Sequence, residues 1–502
     1  MEWKDFFSGK RVTLMGLGLL GRGLGDAIFL AEHGAELIVT DLRDEKTLAP
    51  SLAKLKKCKN VRYTLGEHKF EDFRNRNFIV KAAGVALDSP YIAEARKNKI
   101  PIEMDASLFA KLMPRGVTLV GVTGTRGKST TTALIFDILN SSFIKGGGES
   151  ASRRIFKGGN LVPEATLPLL EKVKAGDIVV LELDSWQLQG FHDAKISPQV
   201  AVFTTFLDDH LIYYKGDHAR YFEDKVAIFK YQKAGDTLIA GEKVAENIGK
   251  SNVPVNGDFI IAKKEDVPAP PVGGWNIPIP GEHNLENIAC AIAAAKVVLS
   301  TPDVGGRELS GVEDAIRKAV EDFKPIAGRL ELIRTVKDVK IYNDNNATTP
   351  DATLAGLRAL GDLGFKNNDL GKEDSTHKSK IIHHKSIILI MGGTDKGLDM
   401  TKLVEEIPKY CKGLVLLKES GTEKLLFEFP VLNSSFPKGG ARRVEDFVVF
   451  QKDTLKECVE EAMAMAQNGD VVLFSPAFAS FGKWFKNEYD RGEQFVKIVE
   501  GL

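Results

Sequence analysis

The chain has 502 residues, 43% of them hydrophobic, and its 68 Lys+Arg balance its 68 Asp+Glu. That length implies two or three domains with their own cores. Zero net charge removes any global case for nucleic acid or an anionic membrane surface as partner. Cys58, Cys290, Cys411 and Cys458 are far apart and form no CxxC pair, which argues against a disulfide framework or a zinc site and fits a reducing compartment. The N-terminal residues show no basic segment followed by an apolar one, and no apolar run reaches the roughly 18 residues of a membrane span. A soluble, cytoplasmic, monomeric protein acting on small molecules is the expectation.

In chain order, "RVTLMGLG" reads as a strand, "LGDAIFLAEHG" as a helix ending at Gly34, and "ELIVTD" as the next strand, with "NFIVKAAGV" and "IPIEMD" continuing the series. This alternation predicts a doubly wound α/β unit. Pro114-Arg115-Gly116 reads as a linker. A second unit opens with the strand "VTLVGVTG" and the helix after Lys128. "DIVVLELDS" and "PQVAVFTTF" are buried-strand candidates, and the last helix of this unit is placed near "NIACAIAAAKVVL". A third unit begins near "AGRLELIRT" and contains the strands "VKIYND", "SIILIMGG", "GLVLLK" and "DVVLFSP". The polar, aperiodic insert over 364–385 reads as a mobile surface loop, and its three histidines read as solvated rather than as metal ligands. The chain divides on this reading at 1–115, 116–325 and 326–502, and no internal repeat is evident.

The segment "GVTGTRGKSTTT" follows a strand and opens a helix. Glycines there let backbone N–H groups turn toward phosphate oxygens, and the helix N-terminus adds partial positive charge. Lys128 can neutralise outer phosphates and the Ser129 hydroxyl can ligate Mg²⁺. The usual phosphate loop has Gly where Val122 stands, so this is a variant loop. Upstream, Gly16, Gly18 and Gly21 spell GxGxxG, with Asp41 twenty residues beyond. Alone, that is a nicotinamide-dinucleotide fingerprint and the basis for an alternative reading as a dehydrogenase. The same layout can hold the diphosphate and ribose or uracil of UDP.

Glu182 ends a buried strand, where a carboxylate is costly unless something positive meets it. His210 follows another strand beside Asp208 and Asp209, and Lys225 stands fifteen residues after His210. Taken singly, these residues read as a structural ion pair, a structural histidine and a solvated helix lysine.

Together with "GTRGKST", "LELDSWQL", "FKGGN", "IPGEHNLENIACAIAAA", "AGRLELI", "YNDNNATTPDAT", "LIMGGTDKGLDM" and "FSPAFASFGKWFKNEYDRGEQF", they resemble the Mur ligase family over nearly the whole chain. The resemblance implies three α/β domains: an N-terminal Rossmann-like UDP-binding domain, a central P-loop ATPase-type domain, and a Rossmann-like C-terminal domain. It implies ATP held by Gly124, Thr125, Arg126, Gly127, Lys128, Ser129, Thr130, Asn284, Asn287, Arg329 and Asp344. It implies two Mg²⁺ ions held through Ser129, Glu182, His210 and a carbamylated Lys225, the carbamate turning a repelling cation into an anion. Lys128, Glu182, His210 and Lys225 would form the catalytic set. The UDP substrate would lie on Leu19, Leu20, Asp41, Arg43, Gly84 and Asn160, and the amino acid on Thr348, Lys396, Ser480 and Phe481. The branch matched adds D-glutamate to UDP-N-acetylmuramoyl-L-alanine through an acyl phosphate, in peptidoglycan precursor synthesis, with domain closure bringing Lys396 and Ser480 to the acyl phosphate.

Three departures stand out. Asn345-Asn346 replace the family's Ser-Lys, removing one cation near the amino-acid site. The last motif carries one extra residue around Lys483-Trp484, and Leu20 stands where Thr is frequent. The first two leave another amino acid, such as L-glutamate, open. From a different class, a nucleotide-sensing scaffold that kept the fold is the remaining alternative.

Overall fold

The apolar runs become the inner strands of three sheets in the computed structural model, which describes residues 3–19, 21–144, 153–207, 211–268, 274–300, 312–368, 386–433, 443–444, 447–480 and 482–502. The first sheet holds β1 (Arg11–Met15), β2 (Glu36–Asp41), β3 (Val61–Leu65), β4 (Phe78–Lys81) and β5 (Ile102–Glu103), all parallel in the order β3-β2-β1-β4-β5. The second holds β6 (Thr118–Thr123), β7 (Ile155–Gly159), β8 (Ile178–Glu182), β9 (Val200–Phe203), β10 (Thr237–Gly241) and β11 (Asp258–Ala262), parallel in the order β11-β10-β9-β6-β8-β7. The third holds β12 (Glu331–Val336), β13 (Val339–Asn343), β14 (Ile387–Met391), β15 (Cys411–Leu417), β16 (Arg443–Val444), β17 (Phe447–Lys452) and β18 (Val471–Phe474), in the order β12-β13-β18-β14-β15-β17-β16. Its β12 and β16 are antiparallel to their neighbours.

This order decides where a site can form. In open parallel sheets, ligands bind beyond the carboxyl ends of strands, where neighbouring connections run to opposite sides. β1 is flanked by β2 and β4, and β6 by β8 and β9. The glycine-rich segments after β1 and β6 therefore emerge at such points. In the third sheet β13, β18 and β14 are adjacent and parallel, so the segments after all three leave the same edge.

By internal contacts, residues 1–275 with 286–321 form one compact unit and residues 276–285 with 322–502 another. The first unit contains both the first and second sheets. One hydrophobic cluster runs through it, including Leu108 and Phe109 of the Asp105–Leu112 helix and Leu188 and Phe191 of the Ser185–Ala194 helix. Gly190 permits that helix crossing, since a Cβ there would stand 2.5 Å from Ser107 Oγ. The second unit packs its sheet between two clusters, one around Leu389, Leu414 and Leu425, the other around Ile390, Val459 and Phe495.

Two expectations need correction. The helix Val312–Glu321 lies in the first unit after residues 286–300 of the Glu282–Ser300 helix, so the "NIACAIAAAKVVL" helix is not the last of its unit. Its apolar stripe, Ala315, Ile316, Ala319 and Val320, is buried and has the spacing of an amphipathic helix. The supposed loop over 364–385 begins inside the helix Pro350–Asn368; the rest of it lies outside the described residues.

Candidate active site

The turn after β1 needs its glycines for conformation and for space. Gly16, Gly18 and Gly21 have φ of 100°, 68° and 99°, values that L side chains rarely adopt. A Cβ on Gly16 would meet Ala82 Cβ at 2.8 Å. Asp41, at the end of β2 and 2% exposed, braces this turn: Oδ2 accepts from Gly18 N at 3.0 Å and Oδ1 from Arg43 N at 2.9 Å. Leu19 is exposed beside it. Gly84 is exposed on the opposite wall, in the segment after β4.

That segment is held from below by Lys81, the last residue of β4 and 1% exposed. Its Nζ donates to the carbonyls of Val85 (2.7 Å), Ala82 (3.3 Å) and Ala83 (3.4 Å). Burial pushes its ammonium down to about 8, against the opposing pull of Asp184, Asp193 and Asp224. Sequence reasoning missed Lys81. A lysine ending an otherwise apolar strand, "NFIVK", was the available signal.

Arg22 was missed too. It sits in the first turn of the Arg22–Glu32 helix, where a cation opposes the helix dipole and so calls for another partner. That partner is the segment after β7: Nη1 donates to Asn160 Oδ1 (2.7 Å), Nη2 to Asn160 O (3.1 Å) and Val162 O (3.0 Å), and Nε to Val162 O (3.2 Å). The helix that leaves the β1 glycine turn is thereby pinned to Asn160, whose own N–H donates to Glu182 O at 2.8 Å. Elements of the first and second sheets thus form one continuous surface.

The turn after β6 is built more tightly. Gly124 has φ 154°, and a Cβ there would lie 2.0 Å from Thr204 Oγ1. Gly127 has φ 82°, and its Cβ would lie 2.0 Å from Asn287 Oδ1. The end of β9 clamps the turn through Thr125 N to Thr205 O (2.8 Å), Arg126 N to Thr205 Oγ1 (2.7 Å) and Thr205 Oγ1 to Arg126 O (3.0 Å). This Thr204-Thr205 clamp was passed over in "VFTTF". Lys128 Nζ folds back onto the carbonyls of Gly124 (3.0 Å) and Thr125 (3.1 Å). Ser129 and Thr130 are buried at the start of the Lys128–Ile144 helix. Asn287 reaches this helix through its carbonyl, which accepts from Thr131 Oγ1 at 3.3 Å.

Glu182 and Lys225 flank the same strand end. Glu182 closes β8 in register with Val122 of β6. It is 2% exposed, and its Oε2 has no hydrogen-bond partner. A buried carboxylate oxygen without a partner is costly, and a cation beside the phosphate turn would offset that cost. Lys225, 1% exposed, donates from Nζ to Gly124 O (2.9 Å) and Thr123 Oγ1 (3.4 Å) and lies 5.1 Å above the Tyr221 ring. Among the described residues no three His, Cys, Asp or Glu side chains gather as a metal cluster. The Glu182 carboxylate suits Mg²⁺, a cation that takes oxygen ligands. The orphaned oxygen, the glycine cradle and Lys128 together fit nucleotide and Mg²⁺.

In the second unit, Lys396 Nζ donates to Thr348 Oγ1 at 2.9 Å, joining the segments after β14 and β13. Ser480 is buried next to Ala479, whose backbone pairs with Thr394 in both directions at 2.9 and 3.0 Å. Three of the four expected amino-acid residues thus come from neighbouring segments at one sheet edge. Asp344, expected at ribose, is buried, with Oδ1 accepting from Leu330 N (3.2 Å) and Oδ2 from Ser475 Oγ (2.8 Å). Arg329 lies on the turn held by Asn346, whose N–H donates to Gly328 O (2.9 Å) and whose Nδ2 donates to Ala327 O (3.1 Å). Asn284 belongs to this unit, its Nδ2 donating to Pro280 O at 2.6 Å, whereas Asn287 belongs to the first. Leu20, His210 and Phe481 lie outside the described residues.

Comparison with known proteins points to one family. A family model for the MurD-like Mur ligase N-terminal domain matches residues 10–103, and one for the Mur ligase middle domain matches residues 122–295. The UDP-N-acetylmuramoylalanine–D-glutamate ligase of Roseiflexus sp. (strain RS-1) is 33% identical over 99% of both chains. The proteins of the same name from Borreliella afzelii and Acetivibrio thermocellus are 31% and 30% identical, over 97% and 100% of this chain and 97% and 98% of their own. Among solved structures, the UDP-N-acetylmuramate-alanine ligase MurC of Thermotoga maritima superposes with a TM-score of 0.54 at 19% identity, over 98% of this chain and 99% of that one. MurF of the same organism, in complex with ADP, gives 0.52 at 17% identity, over 100% and 96%. These two share the fold. The full-length relatives add kinship to it, and the chain belongs to the Mur ligase family, beside members named UDP-N-acetylmuramoylalanine–D-glutamate ligase.

Proposed function

We propose that the protein joins D-glutamate to UDP-N-acetylmuramoyl-L-alanine with hydrolysis of ATP, a step in peptidoglycan precursor synthesis, and that it works as a cytoplasmic monomer with domains at 1–115, 116–325 and 326–502. The observation that carries the reading is the unpartnered Glu182 Oε2 beside the Gly124–Ser129 turn. It supports a cation and a polyphosphate at the end of β6.

On this reading the turn after β1, with Leu19, Leu20, Asp41, Arg43 and Gly84, takes the UDP end, and Asn160 guides the substrate toward the second sheet. Carboxylate and ammonium are both unreactive partners in water, so the alanyl carboxylate first takes the γ-phosphoryl group of ATP, releasing ADP, and the amine of D-glutamate, having lost a proton, then attacks the acyl carbon and expels inorganic phosphate. Gly124 to Thr130, with Asn284, Asn287, Arg329 and Asp344, bind ATP. Lys128 releases its two carbonyls and turns to the transferring phosphate, where a fixed cation stabilises developing charge. Mg²⁺, held by Ser129, Glu182, His210 and a carbamylated Lys225, would neutralise phosphate oxygens. Thr348, Lys396, Ser480 and Phe481 orient the amino acid, the lysine meeting a carboxylate.

The test offers D-glutamate, L-glutamate, L-alanine and meso-diaminopimelate separately to the protein with UDP-N-acetylmuramoyl-L-alanine, ATP and Mg²⁺. Only D-glutamate should be incorporated. Incorporation of another amino acid, such as L-glutamate, would overturn the assignment. NADH fluorescence on titration checks the dehydrogenase alternative, and no binding is expected.

A further inference from the structure

Among the described residues, Arg491 is the largest side chain buried to 0% exposure. It sits in the first turn of the Glu488–Glu500 helix and forms no ion pair among the described residues. Its Nε donates to Asn345 Oδ1 at 2.6 Å, its Nη2 to Asn345 O at 2.9 Å and its Nη1 to Phe478 O at 3.2 Å. A Cβ on Gly393 would come within 3.1 Å of Nη1. The guanidinium therefore lies among the segments that follow β13, β18 and β14, which leave one edge of the sheet side by side.

We propose that Arg491, oriented by Asn345, is the positioning residue of the amino-acid pocket, fixing relative to one another the three segments that carry Thr348, Lys396 and Ser480. This rests on the reading that those three residues receive the amino acid.

The chemistry favours a positioning role over simple filling. A side chain needed only for volume would be apolar, because burying a cation without a counter-ion is costly. Burial indeed pushes this guanidinium down to about 9, with Glu488 and Glu419 acting on it only through space. A planar fork gives three bonds of fixed direction, which an ammonium cannot reproduce. Each bond meets backbone or amide oxygen close to a pocket residue. Asn345 is three residues before Thr348 and Phe478 two before Ser480; Gly393, three before Lys396, accepts no bond from the guanidinium and meets it by close packing beside Nη1.

Asn345 is built for the same purpose. Its Nδ2 donates to Glu488 O at 2.7 Å, so one amide grips the helix while its oxygen grips the guanidinium. Gly492 leaves room for it, since a Cβ there would sit 3.2 Å from Asn345 Nδ2. The Asn that departs from the family pattern is thus half of a clasp. The buried charge also leaves a positive field beneath a pocket meant for a dicarboxylate.

The experiment is steady-state kinetics of R491K and N345S, each substrate varied in turn, alongside trapping of the acyl phosphate by hydroxylamine without amino acid. Trapping reports the first half-reaction, in which Arg491 takes no part. For R491K, kcat/KM for D-glutamate should fall about tenfold to a hundredfold, the range expected when a reacting group is displaced by about 1 Å. KM for ATP and for the UDP substrate should stay within about twofold, and trapping should proceed at the wild-type rate. N345S keeps both guanidinium bonds to main-chain oxygen and should show a smaller loss confined to D-glutamate. It decides the matter if a thermal melt shows R491K unfolded. Unchanged D-glutamate kinetics, or equal losses for all three substrates, would overturn the proposal. Absence of trapped hydroxamate in the wild type would instead overturn the ligase reading itself.

Discussion

Glu182→Met separates what the site costs from what it does. The methionine matches the glutamate in length and places no polar atom where Oε2 now lies unpartnered. A buried polar group without a partner costs about 1–3 kcal/mol, and replacing a buried charge by a well-packed apolar side chain is often stabilising. The ligand-free variant should therefore be more stable than wild type by about 1–3 kcal/mol. For a unit of this size that is an upward shift of several degrees, at about 2–4 °C per kcal/mol. Saturating Mg²⁺-ATP should reverse the order. A ligand at about a hundred times its Kd adds about 2.7 kcal/mol to the wild type, and the variant loses whatever part of that depends on the cation. Thermal unfolding with and without Mg²⁺-ATP reads both effects. A variant less stable than wild type without ligand, or one that keeps the full Mg²⁺-ATP shift, would refute the argument that the orphaned oxygen awaits a cation.

Lys128→Ala should cut UDP-substrate-stimulated phosphate release about a hundredfold to a thousandfold, measured in single turnover; release at the wild-type rate would remove Lys128 from phosphate transfer. Arg22→Met loses four bonds of 2.7–3.2 Å to Asn160 and Val162 and should raise KM for the UDP substrate about tenfold, at about 1.4 kcal/mol per decade, with KM for D-glutamate unchanged. Lys81 carries a pH signature: its folded value of about 8 lies below the ordinary 10.5, so between those values the unfolded chain holds the extra proton. Its burial penalty, about 3 kcal/mol at neutral pH, is relieved as pH rises from 8 to 10.5. Denaturant unfolding should show that rise in the wild type relative to Lys81→Met, with Asp184, Asp193, Asp224 and Arg96 unchanged in both.

Most strands buried on both faces were legible because avoiding solvent leaves them few polar positions, although β10, "TLIAG", buried throughout, was not read. β8 and β14 are buried at every position and β6 at every position but Thr118, and all three read as nearly continuous apolar runs. The edges were not. β3 and β11 bury little, with Tyr63, Phe259 and Ile261 exposed, and their mixed composition resembles loop. β7, "IFKGG", ends in glycines that serve the neighbouring strand: a Cβ on Gly159 would lie 2.2 Å from Glu182 O. A local pattern carries no trace of a neighbour it has not yet met.

The site divides in the same way. The glycines after β1 and β6 announce themselves, since positive φ and a missing Cβ restrict the residue type wherever they occur. What holds those turns comes from far away: Arg22 meets Asn160 across 138 residues, Thr205 meets Arg126 across 79, and Arg491 meets Asn345 across 146. No spacing rule reaches that distance. Asn345 shows the consequence. Compared position by position, "DNNAT" reads as a family motif that has lost a hydroxyl and a cation. Placed in the fold, its first Asn spends its amide on Arg491 and Glu488, and its second holds the turn that carries Arg329. A departure from a motif therefore has meaning only together with the groups it touches, and here those groups include the buried guanidinium of Arg491.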